Sequence, residues 1–159
     1  MRLAPLLEQV LENYPDEVRF VFKYYPRREH EFAAKAAIAA VAAQRQGKFW
    51  EFHDLLLNSY NRLNDREIRD LMEHVGLDMQ RVEEDLRDPD LLATIDRDVM
   101  NGIYAGVTST PTVFLNGRIL RNLTLEGFRA AIEKELARVR NLDDFSGERP
   151  KSKKKATTN

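Results

Sequence analysis

The feature that most limits what this chain can fold into is where its β-forming residues lie. Val18 to Tyr25 is dense in valine and aromatics. The next such stretch, Thr112 to Leu120, comes only near the other end. Val18–Tyr25 is too continuously apolar for a strand with one wet face. It reads as a strand covered on both faces, as in a parallel sheet between helices. Thr112 to Leu115 and Arg118 to Leu120 read as a hairpin closed by Asn116-Gly117. Everything between the two β regions carries helical spacing instead.

Leu3, Leu6, Leu7, Val10 and Leu11 predict an amphipathic helix over residues 3 to about 13, with Pro5 tolerated in its first turn and no capping residue ahead of it. Asn13-Tyr14-Pro15-Asp16 is a turn. Glu31 to Gln46 is an alanine-rich helix with Phe32, Ile38 and Val41 as larger contacts, ended by Gly47. Lys48 to about Leu57 follows, with Phe49, Trp50, Phe52 and Leu56 expected inward. Asn64 with Glu67 forms a capping-box-like start for Ile68, Leu71, Met72 and Val75, closed by Gly76. Asp78 caps a short helix carrying Met79, Val82 and Leu86. Asp88-Pro89 opens another, running through Leu92, Ile95 and Val99 to about Ala105. Gly106 to Pro111 is an extended loop, and Leu125 to Arg140 a final helix with Phe128, Ile132, Leu136 and Val139 inward. There is no internal repeat.

A chain of 159 residues suits one domain able to bury a core without disulfide or metal staples. The longest apolar stretch, Ala33 to Ala43, carries Lys35 and is far too short to span a bilayer. The start, with Pro5 and Glu8, lacks the unbroken apolar stretch of a signal peptide, so the chain as written is expected in the cytoplasm. The net charge of −1 hides an asymmetry. The stretch Ser146–Asn159 carries Arg149, Lys151, Lys153, Lys154 and Lys155 against Glu148, a net of +4 that leaves the body at −5. An acidic body argues against nucleic acid as a partner. With Pro150 and Ser152 among the lysines, residues 143–159 read as a solvated, disordered basic tail.

Three stretches resemble the DsbA-like branch of the thioredoxin superfamily. They are Tyr24-Tyr25-Pro26 with His30, Gln46 to Leu55, and Gly106 to Gly117, the last being the most specific. The likeness covers about residues 3 to 140. It implies an α/β, thioredoxin-like fold of the DsbA type over residues 1–142, with an inserted helical block at about 28–105. It further implies protein or peptide substrates. Thr110 and Pro111 occupy the loop in which a threonine or valine precedes a cis proline and pairs with an extended substrate.

The family's chemistry uses a Cys-x-x-Cys at a helix N-terminus, where the dipole lowers the nucleophile's pKa and the second thiol resolves the mixed disulfide. This chain contains no cysteine. Leu3-Ala4-Pro5-Leu6-Leu7 resembles the residues directly after the second cysteine in relatives, so the sheet is expected to be truncated at its N-terminal side, without its first core strand. The expectation is a C-terminal bulk of a thiol:disulfide oxidoreductase, redox-inactive as written, with Met1 an internal methionine. An in-frame stop just before its codon would contradict that. An extracytoplasmic home, such as the periplasm, is implied for an intact parent. The alternative is a cysteine-free thioredoxin-fold binding module without catalysis. In such a module dimerisation would cover the exposed sheet edge, whereas aggregation through that edge would favour truncation and a clean monomer would show that the chain folds alone. A glutathione-dependent isomerase with serine as nucleophile is a weaker third reading.

No cofactor is called for, and no metal site. His30, His53 and His74 differ in context, and no two stand at the i, i+4 spacing of a helical metal pair. His53, beside Trp50, reads as a packing residue with a wet edge. The carboxylate groups Asp16-Glu17, Glu83-Glu84-Asp85 and Asp143-Asp144 read as solvated faces, since adjacent helical residues point apart. No phosphate-cradling glycine motif or Ser-His-Asp set is evident.

Overall fold

The computed structural model describes residues 3–147, with side chains to Asn141. Seven helices and one hairpin occur among them: α1 Ala4–Asn13, α2 Ala33–Arg45, α3 Phe49–Asn58, α4 Asp65–His74, α5 Met79–Asp85, α6 Pro89–Tyr104, β1 Val113–Leu115, β2 Arg118–Leu120 and α7 Leu125–Gly147. They form two compact units. One runs from Phe22 to Thr110, and the other joins the residues up to Val21 with those from Pro111 onward.

The first unit is the helical block. Its axis is α2, which packs against α3, α4, α5 and α6. Alanine makes this arrangement possible. It has the best helix propensity and so little bulk that four neighbours can approach one backbone. Ala36, Ala39, Ala40, Val41, Ala42 and Ala43 are all buried, and Phe52, Val82 and Leu91 fill the space between the helices. Local signals mark the helix ends. The Asn64 side chain accepts from Glu67 N–H, Asp78 from Gln80 and Arg81 N–H, and Asp88 from Asp90 N–H, each satisfying otherwise orphaned first-turn donors. At Gly106 the α6 terminus closes with Gly106 N–H on Ile103 O and Val107 N–H on Gly102 O, a Schellman arrangement that uses the left-handed φ of +78°.

In this unit three residues read as part of the helices' apolar sets prove exposed. Trp50 is 47 % exposed because the inner stripe of α3 runs through Phe49, Phe52 and Leu56, which leaves Trp50 about 100° around the helix. In α6 Leu92 is exposed, and the buried stripe is Leu91, Ile95 and Asp98. Leu86, read with Met79 and Val82 as carried by α5, follows the end of that helix at Asp85 and is exposed as well.

The second unit packs α1 on α7 around Val10, Phe128 and Ile132, with Leu7, Val18, Val113, Leu115 and Leu120 against them. The hairpin is antiparallel, with Val113 opposite Leu120, Phe114 opposite Ile119 and Leu115 opposite Arg118. Asn116 and Gly117 both adopt positive φ, +47° and +79°, as a two-residue turn of this hand requires. The helix α7 continues past Arg140 to Gly147, but its packed stripe ends at Leu136, leaving Val139 exposed. The basic tail expected from residue 143 lies outside the described residues from 148 onward.

At the start of α7, Gly127 N–H donates to Thr124 Oγ1 at 3.1 Å, and Asn122 accepts from the Thr124 hydroxyl. A Cβ on Gly127 would come within 2.4 Å of the Asn122 carbonyl oxygen. Gly127→Ala is therefore expected to lower stability by about 1–3 kcal/mol, because backbone must shift, despite alanine's better helix propensity. Thermal unfolding checks this, and an unchanged or raised midpoint would refute it.

The principal departure from expectation is Val18–Tyr25, which is not paired into a sheet. Among the described residues the only sheet is β1–β2. The stretch is nonetheless extended in its burial pattern. Val18, Phe20, Phe22 and Tyr24 are covered to varying degrees, and Arg19, Val21 and Lys23 are exposed, Val21 at 53 %. It thus has one wet face rather than two covered ones, and among the described residues no strand lies beside it to form a ladder.

Candidate functional site

The candidate site is the loop between α6 and β1. After the Schellman turn the chain passes through Thr108, Ser109, Thr110 and Pro111, all exposed, before Thr112 and Val113 become partly covered and β1 begins. Proline removes a donor and biases Thr110 toward extended backbone. Thr110 ends the helical unit and Pro111 begins the other. No carboxylate, imidazole, amine or thiol lies within this run, which offers hydroxyls and main-chain groups only.

The loop's first residue is held on both backbone groups. Val107 N–H donates to Gly102 O at 2.9 Å, and the Tyr25 hydroxyl donates to Val107 O at 3.2 Å. The Tyr25 ring lies against the bare Cα of Gly102, where a Cβ would meet it at 2.8 Å.

Next to Tyr25 lies the one buried carboxylate of the helical unit, which sequence reasoning missed. Asp98, 5 % exposed, accepts from Lys23 Nζ at 2.8 Å and from Tyr24 N–H at 3.1 Å. The Tyr24 amide, which a strand neighbour would otherwise satisfy, is satisfied by this side chain. The available signal was position: Asp98 falls seven residues after Leu91 and three after Ile95, on the inner stripe. The Tyr24 hydroxyl donates to Gln44 Oε1 at 3.1 Å. Burial, and then the Asp98 charge, push its pKa well above the ordinary tyrosine value. A group whose folded pKa is raised contributes stability that is present below the unfolded value. That stability is lost as pH rises past it. Stability is therefore expected to fall above pH ~10, the ordinary tyrosine pKa. The Tyr24 hydroxyl should ionise above the ordinary tyrosine range in the folded chain. Absorbance titration near 295 nm of the unaltered chain against Tyr24→Phe checks this, and a Tyr24 step at the ordinary tyrosine value would contradict it.

The remaining candidates do not assemble. His53 is 17 % exposed and sits among the rings of Phe22, Phe49 and Trp50, as a packing residue with a wet edge should. His74 lines an open cleft with Lys48 and Glu51, where Lys48 Nζ donates to the carbonyls of Val75 and Gly76 at the end of α4. Among the described residues no three His, Cys, Asp or Glu side chains gather as a metal site. Asp16 and Glu17 lie exposed in a turn. Asp85, by contrast, is not simply solvated. Arg45 bridges Asp85 at 2.7 Å and Asp88 at 2.8 Å, and the Asp90 amide together with Arg45 holds the Asp88 carboxyl below its ordinary pKa. The side chains of Asp143 and Asp144 lie outside the described residues.

The thioredoxin family model matches residues 2–134. Similar proteins include a Na(+)/H(+) antiporter NhaA 3 of Salinispora tropica, 36 % identical over 138 residues, which are 86 % of this chain and 21 % of that protein. An NhaA 1 of Salinispora arenicola is 34 % identical over 149 residues, 91 % of this chain and 23 % of that one. The chain thus spans about a fifth of the length of these relatives. Among the described residues no helix is long and apolar enough to cross a membrane. The crystal structure of a thioredoxin-like oxidoreductase from Silicibacter pomeroyi superposes with a TM-score of 0.73 at 24 % identity, covering 88 % of this chain and 78 % of that one. That superposition shows the fold to be thioredoxin-like. With the family match running from residue 2 to residue 134, the chain belongs to the thioredoxin family.

Proposed function

We propose that this chain is the substrate-binding bulk of a DsbA-like thiol:disulfide oxidoreductase, with Thr110 and Pro111 presenting main-chain groups to an extended peptide. The observation that carries the reading is the exposed Thr110-Pro111 step leading directly into β1. Peptides of any sequence offer backbone N–H and C=O, so a main-chain clamp suits a protein acting on many disulfides. The structurally similar Silicibacter pomeroyi protein is a thioredoxin-like oxidoreductase, which points the same way.

With no cysteine among its residues, the chain carries neither the attacking nor the resolving thiol, and both belong to a part of the enzyme outside this sequence. The redox step is then oxidation, reduction or isomerisation of protein disulfides, in an extracytoplasmic compartment for the intact enzyme. The antiporter relatives carry a similar segment as about a fifth of a longer polypeptide. We attribute to this chain the thiol–disulfide role of its own family rather than ion transport.

The test is binding of an insulin B-chain peptide whose cysteines are replaced by serine. Thr110→Val keeps both main-chain groups and is expected to bind within about twofold of the unaltered chain. Thr110→Pro removes the N–H and is expected to bind at least about tenfold more weakly. Equal binding by the two variants would overturn the main-chain clamp. The lack of cysteine favours a second reading, a thioredoxin-fold module that binds peptides without chemistry. Insulin reduction with dithiothreitol by the complete gene product separates the two. Activity that disappears on Cys→Ser substitution supports the enzyme, and inactivity with peptide binding retained supports the module.

A further inference from the structure

We propose that Tyr25 is a positioning residue that sets the conformation of the Thr108–Thr110 loop and, through it, the loop's grip on an extended peptide. The second half of this proposal rests on the peptide-binding reading above.

The geometry is specific. A helix end leaves its last carbonyls unpaired, and the chain beyond a Schellman turn is free to leave in several directions. Here that freedom is removed at one residue. Gly102 O takes the Val107 amide and the Tyr25 hydroxyl takes the Val107 carbonyl, so both peptide planes flanking Val107 are tied before the exposed run begins. The tie depends on Gly102. Only a residue without Cβ leaves room for the Cδ2–Cε2 edge of the Tyr25 ring against α6, where its hydroxyl reaches Val107, since an added Cβ would stand 2.8 Å from both atoms. Tyr25 is itself fixed in the chain by its neighbour Tyr24, whose N–H is held by the buried Asp98. Gly102, Tyr25 and Asp98 thus form one support beneath the loop, all within the helical unit. The Tyr25 hydroxyl acts on the Thr108–Thr110 run through its bond to Val107.

Nitrogen-15 relaxation and peptide titration on the full chain test this. In Tyr25→Phe, which keeps the ring and loses only the hydroxyl, the order parameters of Thr108 to Thr110 are expected to fall from about 0.85 toward 0.6 or below. Those within α6, such as Ile95, should stay unchanged. The serine-substituted insulin B-chain peptide should bind about fivefold more weakly. Gly102→Ala, which displaces the ring while leaving the hydroxyl, should loosen the same three residues, and the double variant should add little to either single one. Loop order in Tyr25→Phe indistinguishable from the unaltered chain would overturn the proposal, as would loosening spread evenly through α6. A loosened loop with unchanged peptide affinity would overturn the link from loop to grip. If the unaltered chain binds no peptide while Tyr25→Phe loosens the loop, the anchoring stands and the peptide-binding reading fails by itself.

Discussion

Phe52→Ala is expected to lower the stability of the helical unit by about 3–5 kcal/mol. Phe52 has no exposed surface and sits in the cluster formed by α2, α3, α4 and α6. Removing its ring forfeits the transfer energy of an aromatic side chain and leaves a cavity that close-packed neighbours fill only in part. Against a domain margin of ~5–15 kcal/mol, such a loss takes a large share of the folded state. The chain's single tryptophan, Trp50, is two residues away on α3, so urea unfolding followed by its fluorescence reports on the affected unit directly. A loss below about 1 kcal/mol would mean that Phe52 is not the packing centre that its burial implies.

The second large effect is expected at Asp98. Asp98→Ala removes the acceptor of the Tyr24 amide and leaves a buried N–H without a partner, at a cost of about 1–3 kcal/mol. In Asp98→Ala the Lys23 ammonium, 59 % exposed, regains water, whereas Lys23→Ala leaves the Asp98 carboxylate its bond from the Tyr24 amide and is expected to cost less than Asp98→Ala. Asp98→Asn keeps an oxygen for the amide and should fall between the two. The order Ala, then Asn, then Lys23→Ala identifies the amide as what matters. If Lys23→Ala proved as damaging as Asp98→Ala, the ion pair would be the source of stability instead. Chemical denaturation of the three variants at one pH is sufficient.

Much of this architecture is legible in the residues because its determinants are local. Asn64, Asp78 and Asp88 announce helix starts through bonds to amides two or three residues on, and Asn116-Gly117 announces a turn through the φ values it tolerates. Non-local determinants were not legible in the same way. Whether Val18–Tyr25 becomes a strand depends on a neighbour that its own residues cannot specify, and its alternating burial emerged only in three dimensions. The same holds for facing. Leu92 and Leu91 are equivalent by composition, and the choice of inner stripe in α6 is made by what packs there. At the candidate site, Thr110 and Pro111 stand out through a string shared with a family. The support beneath them, Tyr25 on Gly102, leaves no trace in spacing because its partners are far apart in the chain.

The alanine helix at the centre of the block has a consequence for how this protein tolerates change. Ala42 and Ala43 are completely sealed, with α2 serving as the common neighbour of four other helices. A methyl group there works as a spacer gauge. Anything wider must push several helices outward at once, so enlargement on the α2 axis cannot be absorbed by one compensating trim elsewhere. Innovation in this block is therefore steered away from its axis, toward the outward sides of α3 and α6, where Trp50, Met100 and Tyr104 already meet solvent.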